Sequence, residues 1–155
     1  MADVDTPAPD FELLNQFGEP VRLSRFQGVK PVVLVFYPLA FTGICTGELC
    51  ELRDNFALFQ RQGVELLAVS VDSKATLRVF AEQEGYQFSL LADFWPHGEV
   101  ARDYGVFLEN RGTAARGTFV IDQSGIIRSR FIAESGTARS LDAYRAALDI
   151  LAPAA

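Results

Sequence analysis

Histidine is nearly absent from this chain, with one in 155 residues, which excludes a multi-histidine metal site within a single copy. The two cysteines are too few for a disulfide scaffold or a four-thiolate zinc site. Cations are in the minority: 14 Lys and Arg against 20 Asp and Glu give a net charge of −6. That balance argues against nucleic acid or an anionic membrane surface as the main partner. Long apolar runs are also missing. The longest, Val32 to Phe41, is interrupted by Pro38 and too short to cross a bilayer. Met1 to Asp10 has neither a basic start nor an apolar stretch, so no secretory signal is expected. No low-complexity segment or internal repeat breaks the chain. These absences predict a cytoplasmic protein with reduced thiols and neither a membrane nor a nucleic-acid partner. What is present is globular: 49% apolar and 22% charged residues. The length suits a single domain over 1–155 whose core needs no staples.

Hydrophobic periodicity supplies the element order. Phe11 to Leu14 and Val21 to Leu23 read as short strands around the turn Phe17-Gly18-Glu19-Pro20. Pro31 to Tyr37 reads as a strand buried on both faces. Gly43 to Gln62 reads as one long helix, with Leu49, Leu52, Phe56 and Phe59 on a stripe and Gly63 as its stop. Val64 to Val71 is a second buried strand. Ser73 caps a helix running to Gly85 that contributes Leu77, Val79 and Phe80 to the core. Phe88 to Leu91 is a short strand, and Pro96 to Tyr104 carries a short helix. Thr118 to Ile121 and Ile126 to Phe131 form a hairpin around Asp122-Gln123-Ser124-Gly125. A last helix spans Ser140 to Leu151. This βαβ start and late hairpin predict an α/β fold: a mixed central β-sheet flanked by helices, with an N-terminal β-hairpin extension. In such sheets chemistry gathers where strand carboxyl ends meet helix amino ends.

That rule points to Pro38-Leu39-Ala40-Phe41-Thr42-Gly43-Ile44-Cys45. Cys45 falls at the start of the long helix, where unpaired N–H groups and the positive end of the helix dipole favour an anion. A thiol so placed can ionise below its reference value of about 8.5, and the thiolate is the reactive form. Thr42 carries a hydroxyl three residues earlier, and Pro38 can shape the loop. A purely structural alternative stands beside this: Cys45 as a small buried hydrophobe, Thr42 as an N-cap, Pro38 as a strand terminator.

The pattern Pro-x-x-x-Thr-x-x-Cys at Pro38, Thr42 and Cys45 resembles the active-site signature of peroxiredoxins. These are thiol peroxidases of the thioredoxin-like fold. Val69-Ser70-Val71-Asp72-Ser73 and Arg116-Gly117-Thr118-Phe119-Val120-Ile121-Asp122 extend the resemblance, which covers about Asp5 to Leu151. Phe94-Trp95-Pro96-His97-Gly98 is similar to the alkyl hydroperoxide reductase E type, usually one-cysteine enzymes. The resemblance implies that Cys45 is the peroxidatic cysteine, that Thr42 hydrogen-bonds peroxide and thiolate, and that Pro38 walls the pocket. It implies that Arg116 stabilises the thiolate and polarises the peroxide, with Arg111 a nearby competitor. Independently, a permanent cation near Cys45 favours both the charged sulfur and the leaving oxyanion. Glu48 resembles a family glutamate that orients the arginine, although a carboxylate near a helix start is also ordinary.

The implied reaction is attack of the Cys45 thiolate on one peroxide oxygen, leaving a sulfenic acid on Cys45 and water or an alcohol. No metal or organic cofactor is required. Leu39, Phe41 and Ile44 favour tolerance of organic hydroperoxides beside hydrogen peroxide. Cys50 departs from the one-cysteine type. It resembles the bacterioferritin comigratory protein type, which has a resolving cysteine five residues after the peroxidatic one. In an intact helix the two Cα atoms lie about 8.6 Å apart, beyond the roughly 4.4–6.8 Å of a disulfide. Resolution by Cys50 therefore requires the first turns to unwind, which Gly43 and Gly47 ease. Otherwise Cys50 is a structural thiol. The implied reductant is a thioredoxin-like or mycoredoxin-like protein or a low-molecular-weight thiol. The implied assembly is a homodimer, with Phe41, Phe94 and Trp95 as contacts and His97 in a structural role near the interface. Arg53 and Asp54 read as a solvated face. Two rival functions share the reactive thiol: a thiol–disulfide oxidoreductase, which usually needs Cys-x-x-Cys, and a redox sensor or holdase switched by Cys45 oxidation.

Overall fold

The run Val32-Val33-Leu34-Val35-Phe36 is apolar at every position, and such a strand is stable only with both faces covered. It forms β3 (Val32–Phe36), buried throughout. The computed structural model describes residues 2–133 and 138–151, with the backbone alone at Cys45. Before β3 come β1 (Glu12–Asn15) and β2 (Pro20–Arg22). After it follow α1 (Gly43–Asp54), α2 (Phe56–Arg61), β4 (Glu65–Ser70), α3 (Lys74–Glu84), β5 (Ser89–Ala92) and α4 (Glu99–Asp103). The chain continues through β6 (Phe107–Leu108), β7 (Thr113–Ala114), β8 (Arg116–Ile121), β9 (Ile127–Ala133) and α5 (Leu141–Leu151). Seven strands form one sheet in the order β2-β1-β5-β4-β3-β8-β9. β3, β4 and β5 run parallel. The β1–β2 hairpin and the β8–β9 hairpin add antiparallel strands on opposite sides. This is the mixed sheet with an N-terminal hairpin extension that the element order predicts.

Burial divides the core by strand alternation. Val33 and Val35 face α1, α2, α3 and α5, which supply Leu49, Leu52, Phe59, Leu77, Phe80, Tyr144 and Leu148. Val32, Leu34 and Phe36 face α4 and the N-terminal segment, through Val100, Ala101, Tyr104 and Phe11. The parallel strands deliver the loops that follow β3, β4 and β5 to one edge of the sheet. Asp72 joins two of them: its carboxylate accepts from Ala40 N at 2.8 Å and from Ser70 Oγ at 2.7 Å.

Several local expectations change. The long helix divides at Asn55, whose N–H is shared between Glu51 O and Leu52 O. Its side-chain amide takes Glu51 O at 2.8 Å, the competition with helix bonding that makes Asn a poor interior residue. Leu23 belongs to a 3-10 turn over Leu23–Phe26 rather than to β2. In α3 the Ser73 cap and Gly85 stop hold, but Val79 is exposed and Ala81 takes its place in the core. The β6–β7 hairpin had no sequence signal, since each strand is two residues long.

Gln16 fastens the N-terminal hairpin to the sheet beyond its short ladder. It is buried, donates to Phe88 O at 3.1 Å and accepts from Leu90 N at 2.9 Å. Gln16→Leu leaves both backbone groups unpaired and is expected to cost about 1–3 kcal/mol, measured by urea denaturation.

Candidate active site

The chain leaves β3 through Tyr37, whose N–H donates to Val69 O at 3.0 Å. Phe41 then takes a φ of 66°, a left-handed conformation uncommon for a bulky residue. Its ring rests on Phe80 with centroids 4.9 Å apart. Thr42 occupies the N-cap position of α1, but its side chain makes no cap bond. The hydroxyl donates instead to Leu39 O at 3.0 Å. The first helical bond runs from Thr46 N to Thr42 O at 2.8 Å. The N–H groups of Gly43, Ile44 and Cys45 therefore precede the ladder, at the positive end of the helix dipole. Cys45 is the third residue of α1; its side chain lies outside the described residues.

Pro38, Thr42, Gly43 and Ile44 line a cavity of about 480 Å³. Arg116, at the start of β8, lines the same cavity with Ala115, as do Ile132 and Ala133 of β9. Leu108, Arg111 and Thr113, from the β6–β7 hairpin and its turn, complete the wall. Arg116 is buried, so it is not a solvated charge at a strand end. Arg111 shares the cavity rather than replacing Arg116.

Glu48 lies one turn beyond Cys45 on α1 and is almost fully buried, with 3% of its surface exposed. Its carboxylate pairs with Arg116 Nη1 at 3.8 Å. It also accepts from the backbone N and the Nε of Arg139, both at 2.7 Å, and pairs with Arg139 Nη2. Tyr144 on α5 donates to it at 3.3 Å. Burial pushes the Tyr144 hydroxyl above its ordinary range, which keeps it a donor. Arg139 in turn donates from Nη1 to Gly117 O at 2.9 Å and Thr118 Oγ1 at 3.0 Å. Two buried guanidiniums and one carboxylate leave these three side chains with a net positive charge beside the cavity. Sequence reading missed Arg139. It lies 91 positions from Glu48, and no local pattern connects them.

Cys50 is half-buried and unpaired with another cysteine. Its Sγ lies 3.4 Å from Glu84 Oε2 and 3.4 Å from the Tyr86 hydroxyl. Burial first, and the adjacent Cys50 second, push the Tyr86 hydroxyl up. It reaches Thr46 O at 3.3 Å. Arg53 is half-buried and donates to Glu84 O at 2.5 Å, so it ties α1 to α3 rather than facing only solvent. Asp54, exposed, pairs with it at 3.0 Å. Of the other residues singled out by sequence, Trp95 is 82% exposed and Phe94 53%, and His97 contacts Gly112 O at 2.7 Å. Among the described residues, no cluster of His, Cys, Asp and Glu could hold a metal ion, and no helix is long and apolar enough to cross a membrane.

The model of the AhpC/TSA family matches residues 4–130. This chain is a peroxiredoxin of the AhpC/TSA family. Alkyl hydroperoxide reductase E of Mycobacterium tuberculosis is 48% identical over 151 residues, covering 97% of this chain and 99% of that one. Peroxiredoxin Q of Sedum lineare is 39% identical over 124 residues, covering 79% of this chain and 64% of that one. Among solved structures, peroxidoxin BcpB of Mycobacterium tuberculosis superposes with a TM-score of 0.85 at 34% identity, covering 97% of each chain. The peroxiredoxin fold is thus the thioredoxin-like one that the sequence resemblance implies, and the activity class is that of a thiol peroxidase, an oxidoreductase acting on peroxide.

Removing the Glu48 charge breaks a buried ion pair and leaves Arg139 without its carboxylate. Glu48→Gln is expected to lower stability by about 3–5 kcal/mol, read from the midpoint of chemical denaturation.

Proposed function

We propose that this peroxiredoxin reduces hydrogen peroxide and organic hydroperoxides at Cys45, in the cavity lined by Pro38, Thr42 and Arg116. The observation that carries this reading is that those three residues share one cavity with the first turn of α1. The Cys45 thiolate attacks one peroxide oxygen. The S–O bond forms as the O–O bond breaks, and the other oxygen leaves as hydroxide or alkoxide and takes up a proton. Charge spreads over both oxygens in the transition state. The Arg116 guanidinium, held against Glu48, and the N–H groups at the start of α1 are complementary to it. The Thr42 oxygen keeps lone pairs to accept from the incoming peroxide while its hydrogen goes to Leu39 O. Stabilising the thiolate alone does not raise the rate, because a more stable thiolate is a poorer nucleophile.

The second half-reaction is the condensation of the Cys50 thiol with the Cys45 sulfenic acid, which gives a disulfide and water. A thioredoxin-like or mycoredoxin-like protein, or a low-molecular-weight thiol, then supplies two thiols to restore both cysteines. Both residues belong to α1, so the first turns unwind before the sulfurs meet. A second reading, Cys50 as a structural thiol in a one-cysteine enzyme, has its own support in the bonds from Cys50 Sγ to Glu84 and Tyr86. The working unit is a single domain over 1–155 in the cytoplasm, paired as a homodimer. The exposed Phe41, Phe94 and Trp95, in the loops after β3 and β5, favour an interface at that edge of the sheet.

Stopped-flow oxidation with mass spectrometry tests both halves. Cys45→Ser is expected to abolish peroxide reduction, and Arg116→Gln to slow it about 10²–10³-fold. One equivalent of peroxide is expected to remove two hydrogens from the wild-type mass, whereas Cys50→Ser gains one oxygen. A wild type that gains an oxygen instead assigns Cys50 the structural role. Tyr86→Phe removes the hydroxyl that holds Cys50 and Thr46, and is expected to speed disulfide formation about fivefold.

A further inference from the structure

Phe94-Trp95-Pro96-His97-Gly98 has no part in the chemistry above. Yet the contacts of His97 and Gly98 converge on one object, the β6–β7 hairpin. His97 Nε2 lies 2.7 Å from Gly112 O, and a carbonyl only accepts, so Nε2 carries the proton. Gly98 sits at a φ of +70°, and a Cβ there would fall 2.2 Å from Phe107 Cε1. Only a bare Cα lets the Phe107 ring come down onto this turn. The Arg102 guanidinium lies over the same ring, 3.9 Å from its centroid. It donates twice to Glu109, at 3.0 and 3.2 Å, and once to His97 O, at 2.6 Å. α4, which carries Arg102, is anchored to the end of β5 by the buried Asp93, whose carboxylate accepts from Val100 N and Ala101 N.

The hairpin held in this way is small. β6 and β7 share two residue pairs, Phe107 with Ala114 and Leu108 with Thr113. A ribbon of that size has little stability of its own. Nevertheless Leu108, Arg111 and Thr113 line the same cavity as Pro38 and Thr42.

We propose that His97 and Arg102 are positioning residues for this peroxiredoxin: they clamp the β6–β7 hairpin against α4 so that Leu108, Arg111 and Thr113 form the wall that receives the organic part of a hydroperoxide. The proposal rests on the reading of that cavity as the peroxide site. Pro38, Thr42 and Arg116 come from the β3–α1 loop and β8, so a loosened hairpin leaves the groups around the O–O bond in place. What it loses is a shaped wall, apolar at Leu108 and lined by the side chains of Arg111 and Thr113. A bulky hydroperoxide needs that surface to hold its reacting oxygens in line, and hydrogen peroxide has nothing to place there.

The test compares second-order oxidation rates with hydrogen peroxide and with cumene hydroperoxide in the wild type, His97→Phe, His97→Gln, Arg102→Met and Arg116→Gln. His97→Phe keeps a ring against Phe107 but loses the donor to Gly112 O; His97→Gln keeps a donor. His97→Phe and Arg102→Met are expected to slow cumene hydroperoxide about tenfold and hydrogen peroxide less than about twofold, with His97→Gln recovering most of the loss. Equal slowing of both peroxides, or slowing of neither, while Arg116→Gln still slows both, overturns the positioning role and spares the site. Unchanged rates in Arg116→Gln overturn the site itself. The wild type alone provides a further check, because the chain has one imidazole. Nitrogen–proton correlation of its neutral form is expected to show the proton on Nε2, and a proton on Nδ1 overturns the clamp.

Discussion

Glu48 brings one negative charge to the place where α1, the start of β8 and the approach to α5 meet, and the donors around it come from parts of the chain far from its own. Arg116 begins β8, Arg139 precedes α5 and Tyr144 belongs to it. A carboxylate taken out of water is costly unless its lone pairs are used. Here the burial and the bonds occur together, which makes the arrangement all-or-none. If α5 moves off the sheet, Glu48 loses Arg139 and Tyr144 at once. The position of Arg116 in the cavity is therefore tied to tertiary structure well beyond its own strand.

The loop that brings Pro38 and Thr42 to the cavity is held by shape more than by charge. Phe41 stands in a left-handed conformation, and its ring contact with Phe80 helps to offset that cost. From Phe80 the aromatic contacts continue to Tyr86 at 5.1 Å and Phe88 at 5.3 Å. Tyr86 reaches back to Thr46 O and Cys50 Sγ. The loop before α1 and the second turn of α1 are thus held by one run of side chains from α3 and the segment that follows it. Asp72, bonded to Ala40 N, fixes the same loop from the segment after β4.

Much of this was legible in sequence because it is local. The buried strands announce themselves by continuous apolar runs, Ser73 and Gly85 bracket α3, and Pro38, Thr42 and Cys45 fall within eight consecutive positions. What was not legible depends on distant pairing. Arg139 gains its meaning only once the fold sets it on Glu48. Val79 fits a helical stripe on paper, but the face of α3 that meets the sheet is set by where Leu77 and Phe80 dock. The β6–β7 hairpin has too few residues to show a period, and its shape is imposed by Gly98, Arg102 and His97. Asn55 carries a break signal of its own, since its side chain competes for backbone bonds, but the apolar stripe runs past it to Phe56 and Phe59 and masks it.

On the proposed reading, α1 must satisfy two demands that oppose each other. Wound, it presents its first N–H groups and its dipole to the sulfur of Cys45, which favours the thiolate and the leaving oxygen. Unwound, it lets Cys50 reach that sulfur. Gly43 and Gly47 lower the cost of unwinding, and both are exposed, with no heavy atom near enough to contact an added Cβ. Glycine there is not required by packing, so its effect is on the flexibility of the backbone. Against it stand the Tyr86 and Glu84 contacts, which hold the second turn at Thr46 and Cys50. Those contacts lie on the face of α1 opposite Glu48, which sits between Thr46 and Cys50 in sequence and carries its own buried bonds. Opening this stretch therefore breaks single neutral or weak sulfur bonds at Thr46 and Cys50, at a cost of a few hydrogen bonds, and works against the buried Glu48 ion pairs, which are the stronger restraint on the wound form.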